Sequence, residues 1–139
     1  MRLVLDTNVV LSALLWRGTP YRLLTASHAS STVQLFSSRA LLAELADVLT
    51  RASLSHRFTQ LGKSANEVLD DYVAVIALAD PRSVPRVVPT DADDDQVVAC
   101  ALAAQADLIV SGDRDLLDLK QYRGRPIVTP AAALQRLTA

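Results

Sequence analysis

Apolar and polar positions along this chain follow two different spacings, and the switches between them mark its elements. Leu3-Val4-Leu5 is an unbroken apolar run that stops at Asp6, the pattern of a strand buried on both faces. Asp6-Thr7-Asn8 supplies capping side chains, and a helix is predicted over residues 9–15 until Gly18-Thr19-Pro20 interrupts it. A second helical stretch covers 21–29, and the β-branched and aromatic residues of 32–36 predict a strand. Ser37-Ser38 cap a helix reaching about residue 51, and another is predicted over 64–80. Residues 56–62 satisfy neither spacing. Pro81, Pro85 and Pro89 make 81–89 a loop with room for no more than a short edge strand. Beyond it come a helix over 93–106, a strand over 107–111, a short helix over 113–119 and a strand over 126–128. Pro130 then opens a terminal helix. Apolar strands alternating with helices predict an α/β protein, its parallel sheet covered on both faces. Ligands of such sheets sit beyond the carboxyl ends of the strands, so the residues that follow each strand carry most of the functional information.

Composition narrows the classes. Of 139 residues, half are apolar, which suits one folded domain over 1–139 and excludes a disordered or low-complexity chain. A single cysteine, Cys100, excludes an intramolecular disulfide and a cysteine zinc cluster, and His28 and His56 are too far apart in sequence to suggest a histidine metal site. No signal peptide or membrane span is visible, so a soluble, cytoplasmic protein is expected. The net charge of -1 conceals a segregation. Between Asp91 and Asp118, eight aspartates face one arginine (−7), whereas the remainder has 13 bases against 7 acids (+6). An acidic patch within a basic body suits a divalent cation with a polyanion around it, or simply a solvated acidic face.

Individual acids are each open to a plain reading. Asp6 and Asp113 follow apolar strands and can cap the next helix. If those strands are neighbours, however, both carboxylates lie on one sheet edge and repel unless a cation separates them. Asp115 adds more charge than a cap needs. In Asp93-Asp94-Asp95-Gln96, Asp93 and Gln96 fit a capping box. Asp95 shares a helix face with Val98, Ala99, Leu102 and Ala106, where a carboxylate must be paired or bound to metal. Glu44 sits at the edge of the stripe Leu41, Leu45, Val48 and Leu49, as an exposed residue or salt-bridge partner often does. Together these acids form an all-oxygen set, which hard cations such as Mg²⁺ and Mn²⁺ prefer, and one or two such ions can drive phosphodiester hydrolysis.

The same residues resemble a known family. Leu5-Asp6-Thr7-Asn8-Val9, the mid-chain Glu44, the Asp93-Asp94-Asp95 helix start and Ser111-Gly112-Asp113-Arg114-Asp115 are similar, in order and spacing, to the motifs of the PIN domain. They resemble in particular the bacterial PIN proteins described as toxin components of toxin–antitoxin pairs, the VapC-like ribonucleases. The resemblance implies a three-layer α/β/α sandwich around a mostly parallel sheet, and a divalent-metal-dependent ribonuclease. It places Asp6, Glu44, Asp95 and Asp113 in the catalytic, metal-binding set, with Asp115 as an additional acid and Asp94 as the alternative to Asp95. Thr7, Asn8 and Ser111 match polar positions that orient waters or ligands. The resemblance also implies Mg²⁺ or Mn²⁺ as cofactor, an RNA substrate, a small antitoxin partner and a homodimer. Arg17, Arg22, Arg39 and Arg114 are candidates for holding phosphates, and Trp16 for stacking on a base, for burial or for a dimer contact.

Two other classes place an aspartate after the first strand or keep the fold without the chemistry. A phosphoryl-transfer domain would want a lysine at a late strand end, but Lys63 and Lys120 are the only lysines, and Asp6-Thr7-Asn8 lacks a second nucleophile-motif aspartate. A catalytically inactive RNA- or protein-binding module would be expected to have lost some of the acids, all of which are filled here.

Overall fold

The computed structural model describes residues 1–87 and 92–138. Five strands run parallel: β1 (Arg2–Leu5), β2 (Gln34–Ser37), β3 (Ile76–Leu78), β4 (Leu108–Val110) and β6 (Arg125–Val128). The two-residue β5 (Gln121–Tyr122) pairs antiparallel with β6, and the sheet order is β3-β2-β1-β4-β6-β5. The chain leaves β1 toward β2 on one side, and β4 pairs with β1 on the other. The boundary between β1 and β4 is therefore the switch point of the sheet, where α/β proteins open a crevice.

Alternation along the strands builds two cores. Leu3 and Leu5 of β1, Leu35 of β2, and Leu108 and Val110 of β4 face one side. There they meet α1 (Thr7–Leu15), α2 (Thr19–Ala29), the later half of α3 (Arg39–Leu49), α5 (Ala65–Val73) and α8 (Pro130–Thr138). Val4, Ile109 and Ile127 face the other side, against α6 (Ala92–Ala104) and Leu116 of α7 (Arg114–Leu119). This is the expected α/β/α sandwich with a mostly parallel sheet. Among the described residues, no helix is long and apolar enough to cross a membrane.

The ambiguous 56–62 region is helical, as a 3₁₀ turn (Ala52–Leu54) leading into α4 (Ser55–Leu61). Gly62 ends that helix at φ 67°, a conformation that costs a side chain but not glycine. The predicted helix over 64–80 is corrected. Its capped start is present, with Ser64 and Glu67 forming a reciprocal capping box, but α5 stops at Val73 and the chain re-emerges as β3. Leu35, Phe36 and Ser37 pair with Ile76, Ala77 and Leu78, and those ladder bonds override the helical spacing of the apolar residues. β5 was not expected either; two residues carry no readable alternation. Residues 81–87 have no regular secondary structure, as expected of the proline-rich loop, and the rest of that loop, with Asp91, lies outside the described residues.

Candidate metal centre

Asp6 and Asp113 follow adjacent strands, one and three residues beyond their ends, because β1 and β4 pair in register, Leu5 opposite Val110. The Asp6 backbone N–H donates to the Val110 carbonyl at 2.9 Å, carrying the ladder one residue beyond the strand. Ser111 likewise donates its N–H to Val128 on the far side. Its fully buried hydroxyl then links the two acidic segments: it donates to Asp6 Oδ2 at 2.7 Å and accepts from the Asp113 N–H at 2.9 Å. Asp113 also caps α7, accepting the Asp115 N–H at 2.9 Å. The capping role and the cluster role of Asp113 are therefore compatible.

The third acid comes from the opposite layer. Asp94, in the first turn of α6, brings a carboxylate oxygen to Asp6 and Asp113, and these three ligand atoms all lie within 4.8 Å of one another. Asp6 and Asp94 are buried, Asp113 half-buried. Burial raises the Asp6 carboxyl above its ordinary 3.8, and the nearby Asp113 charge adds to that rise. The Ser111 hydroxyl opposes it. So do the Asn8 and Thr7 amides, which approach the carboxylate without closing a good cap hydrogen bond. Three hard oxygen donors from three elements, crowded where water is scarce, fit a divalent cation and suit neither a soft metal nor a redox centre.

Asp95 is placed elsewhere. Its buried carboxylate accepts the Val87 N–H at 2.7 Å and faces Arg86 Nε at 3.6 Å, anchoring the segment that precedes the helix. The face shared with Val98, Ala99, Leu102 and Ala106 favours Asp95 over Asp94, but α6 is buried around most of its circumference, including Asp94, Asp95, Val97, Val98, Ala99, Cys100, Ala101 and Ala104. A helical wheel discriminates poorly there, and the cluster lies off the end of the helix, toward which side chains lean. The helix starts at Ala92, so Asp93 lies within its first turn.

Glu44, half-buried on α3, accepts the Thr7 hydroxyl at 3.0 Å, which ties it to the residue beside Asp6. Asp115 stands exposed in the first turn of α7 and is outside the grouped trio. Trp16 is 44% exposed, with Arg57 over its ring, so it is not a core residue. Arg17 lies over Tyr21, and Arg22 donates to Thr19. The Cys100 thiol, pushed up to about 12 by burial, is no thiolate nucleophile at neutral pH. Sequence reasoning had matched Ser111 only as a polar position. The available signal was one hydroxyl ending the run Leu108-Ile109-Val110, where a buried polar side chain must find partners.

A family model described as the PIN domain matches residues 2–115, most of the chain, and the chain belongs to that family. No curated protein matches it by sequence. Among solved structures it is similar to VapBC2 from Rickettsia felis, described as bound to a DNA fragment from their promoter. The TM-score is 0.62 at 16% identity, over 93% of this chain and 98% of that one, a likeness of fold.

Proposed function

We propose that this protein is a divalent-metal-dependent endoribonuclease and the toxin of a toxin–antitoxin pair. The observation that carries the reading is the convergence of Asp6, just after β1, Asp94 of α6, and Asp113, in the segment after β4, beside the switch point of the sheet. Membership of a family whose domains are generally nucleases supports it, and the VapBC2 likeness favours the toxin–antitoxin setting.

When bound, Mg²⁺ or Mn²⁺ supplies a lowered water pKa and charge stabilisation at phosphorus. Asp6, Asp94 and Asp113 would hold the ion. Ser111 fixes the Asp6 carboxylate through Oδ2 and the Asp113 backbone through the same hydroxyl, so both acids are oriented before any ligand arrives. Glu44, whose carboxylate accepts the Thr7 hydroxyl, would be the fourth acid of the site. Asp95 acts through the segment it anchors, and Asp115 lends outer charge. Arg114, exposed beside Asp113, contacts a substrate phosphate. A small antitoxin protein and a second copy of the chain are the proposed partners. Light scattering that gives the mass of one chain at every concentration would argue against the second.

The test is cleavage of single-stranded RNA and DNA by purified protein with Mn²⁺, Mg²⁺ or EDTA. RNA cutting is expected with metal and not with EDTA, falling at least about a hundredfold in Asp6→Asn. Equal cutting in EDTA, or by Asp6→Asn, would refute the reading.

A further inference from the structure

A cavity of about 270 Å³ opens directly beside the acid cluster and shares Asp113 with it. Asn8, Val9 and Ser12 of α1, Pro20 of α2, Gly112 and Pro130 of α8 form its other walls. We propose that this cavity receives one nucleobase of the RNA strand next to the cleaved phosphate, and that Asn8 and Ser12 make cleavage base-selective. The proposal rests on the nuclease reading above.

The lining argues for a base over the other parts of a nucleotide. No lysine or arginine lines the cavity, and Asp113 on its wall repels an anion, so a phosphate is the wrong occupant. Two proline rings offer rigid apolar surfaces without a backbone N–H, against which a flat heterocycle can lie. Asn8 and Ser12 are one helical turn apart on α1 and so share a face. The Asn8 amide presents a donor and an acceptor side by side, matching the paired edge groups of an unstacked base, and the Ser12 hydroxyl serves as either. Gly112 leaves its wall bare, because a Cβ there would meet no atom within 4 Å. A side chain at position 112 therefore starts in open space at the edge of the cavity.

The first measurement uses neutral probes on the metal-free, isotopically labelled protein: the four ribonucleosides and ribose, followed by NMR amide shifts. Saturable shifts at Asn8, Ser12 and Gly112 are expected with nucleosides and not with ribose. The best and worst bases should differ by about fivefold or more, the lower end for a paired hydrogen-bond contact. Gly112→Leu should abolish the shifts while the remaining spectrum stays native. Shifts elsewhere, equal response to ribose, or equal affinity for all four bases would overturn the proposal.

Cleavage then separates the two claims. RNAs differing at one nucleotide should be cut with a base preference that Ser12→Ala weakens. Cleavage indifferent to base at every position overturns the pocket and leaves the nuclease standing. Base-selective binding without any cleavage supports the pocket and overturns the nuclease.

Discussion

Asp6 meets three demands at once: it ends β1, precedes α1, and holds a carboxylate against Asp113 in a nearly dry setting. Its carboxyl is raised by burial, so ionising it disfavours the folded state. That contribution to stability is intact below the unfolded value and is lost as pH rises through the folded one. Without metal, Asp6→Asn should therefore melt higher than the native protein at pH 7, with the gap closing as pH falls toward 3.8. Thermal melts across that range check this, and a gap that widens on acidification would contradict it. Asp95 makes the opposite case. Asp95→Ala removes the acceptor of the Val87 N–H and the partner of Arg86, and should cost about 1–3 kcal/mol in denaturant unfolding while leaving metal affinity nearly intact. The contrast with Asp94 was only half legible in the sequence. A carboxylate run at a helix start announces a site, but which member reaches the cluster depends on where the helix end points, and a residue period does not encode that.

At the scale of elements, the strands that build the site were readable because they are continuous apolar runs that stop at polar residues: β1 at Asp6, and β4 at Ser111 with Asp113 two residues further on. α3 was equally plain, with Ser38 capping it through the Leu41 N–H and Glu44 at the edge of its stripe. β3 was not, because Val73, Val75, Ile76 and Leu78 continue the apolar content of α5 with no glycine or proline between. Only pairing with β2, distant in sequence, distinguishes strand from helix there. α5 carries another test. Tyr72 is 2% exposed and its hydroxyl has no hydrogen-bond partner among the described residues. Burial, with Cys100 nearby, raises the phenol further above its usual range, so the group stays neutral. A buried polar group without a partner disfavours folding, and Tyr72→Phe should hold stability or raise it by about 1–3 kcal/mol. A loss of more than about 1 kcal/mol would show that the hydroxyl has a partner in solution.

For the whole molecule, the segregation of charge visible in composition becomes spatial. Acids from β1, α6 and the segment after β4 meet at one crevice, while most of the basic residues are spread over the remainder of the chain. Topology accomplishes this: the switch between β1 and β4 sets two aspartates that follow strands side by side, and α6, packed on the second face, adds a third. Carboxylates so close repel when ionised, so a divalent cation bound among them, as proposed, should stabilise the fold. At a hundredfold excess over its Kd, Mn²⁺ should add about 2.7 kcal/mol of stability, to be read as a rise in Tm that EDTA reverses. The most direct measurement is a calorimetric Mn²⁺ titration of the native protein beside Asp6→Asn, Asp94→Asn, Asp113→Asn and Asp95→Ala. Saturable binding that is lost or weakened at least about tenfold in the first three variants, and kept in the last, is the expected result. Binding unchanged in Asp94→Asn, or lost only in Asp95→Ala, would contradict the metal centre assigned to Asp6, Asp94 and Asp113.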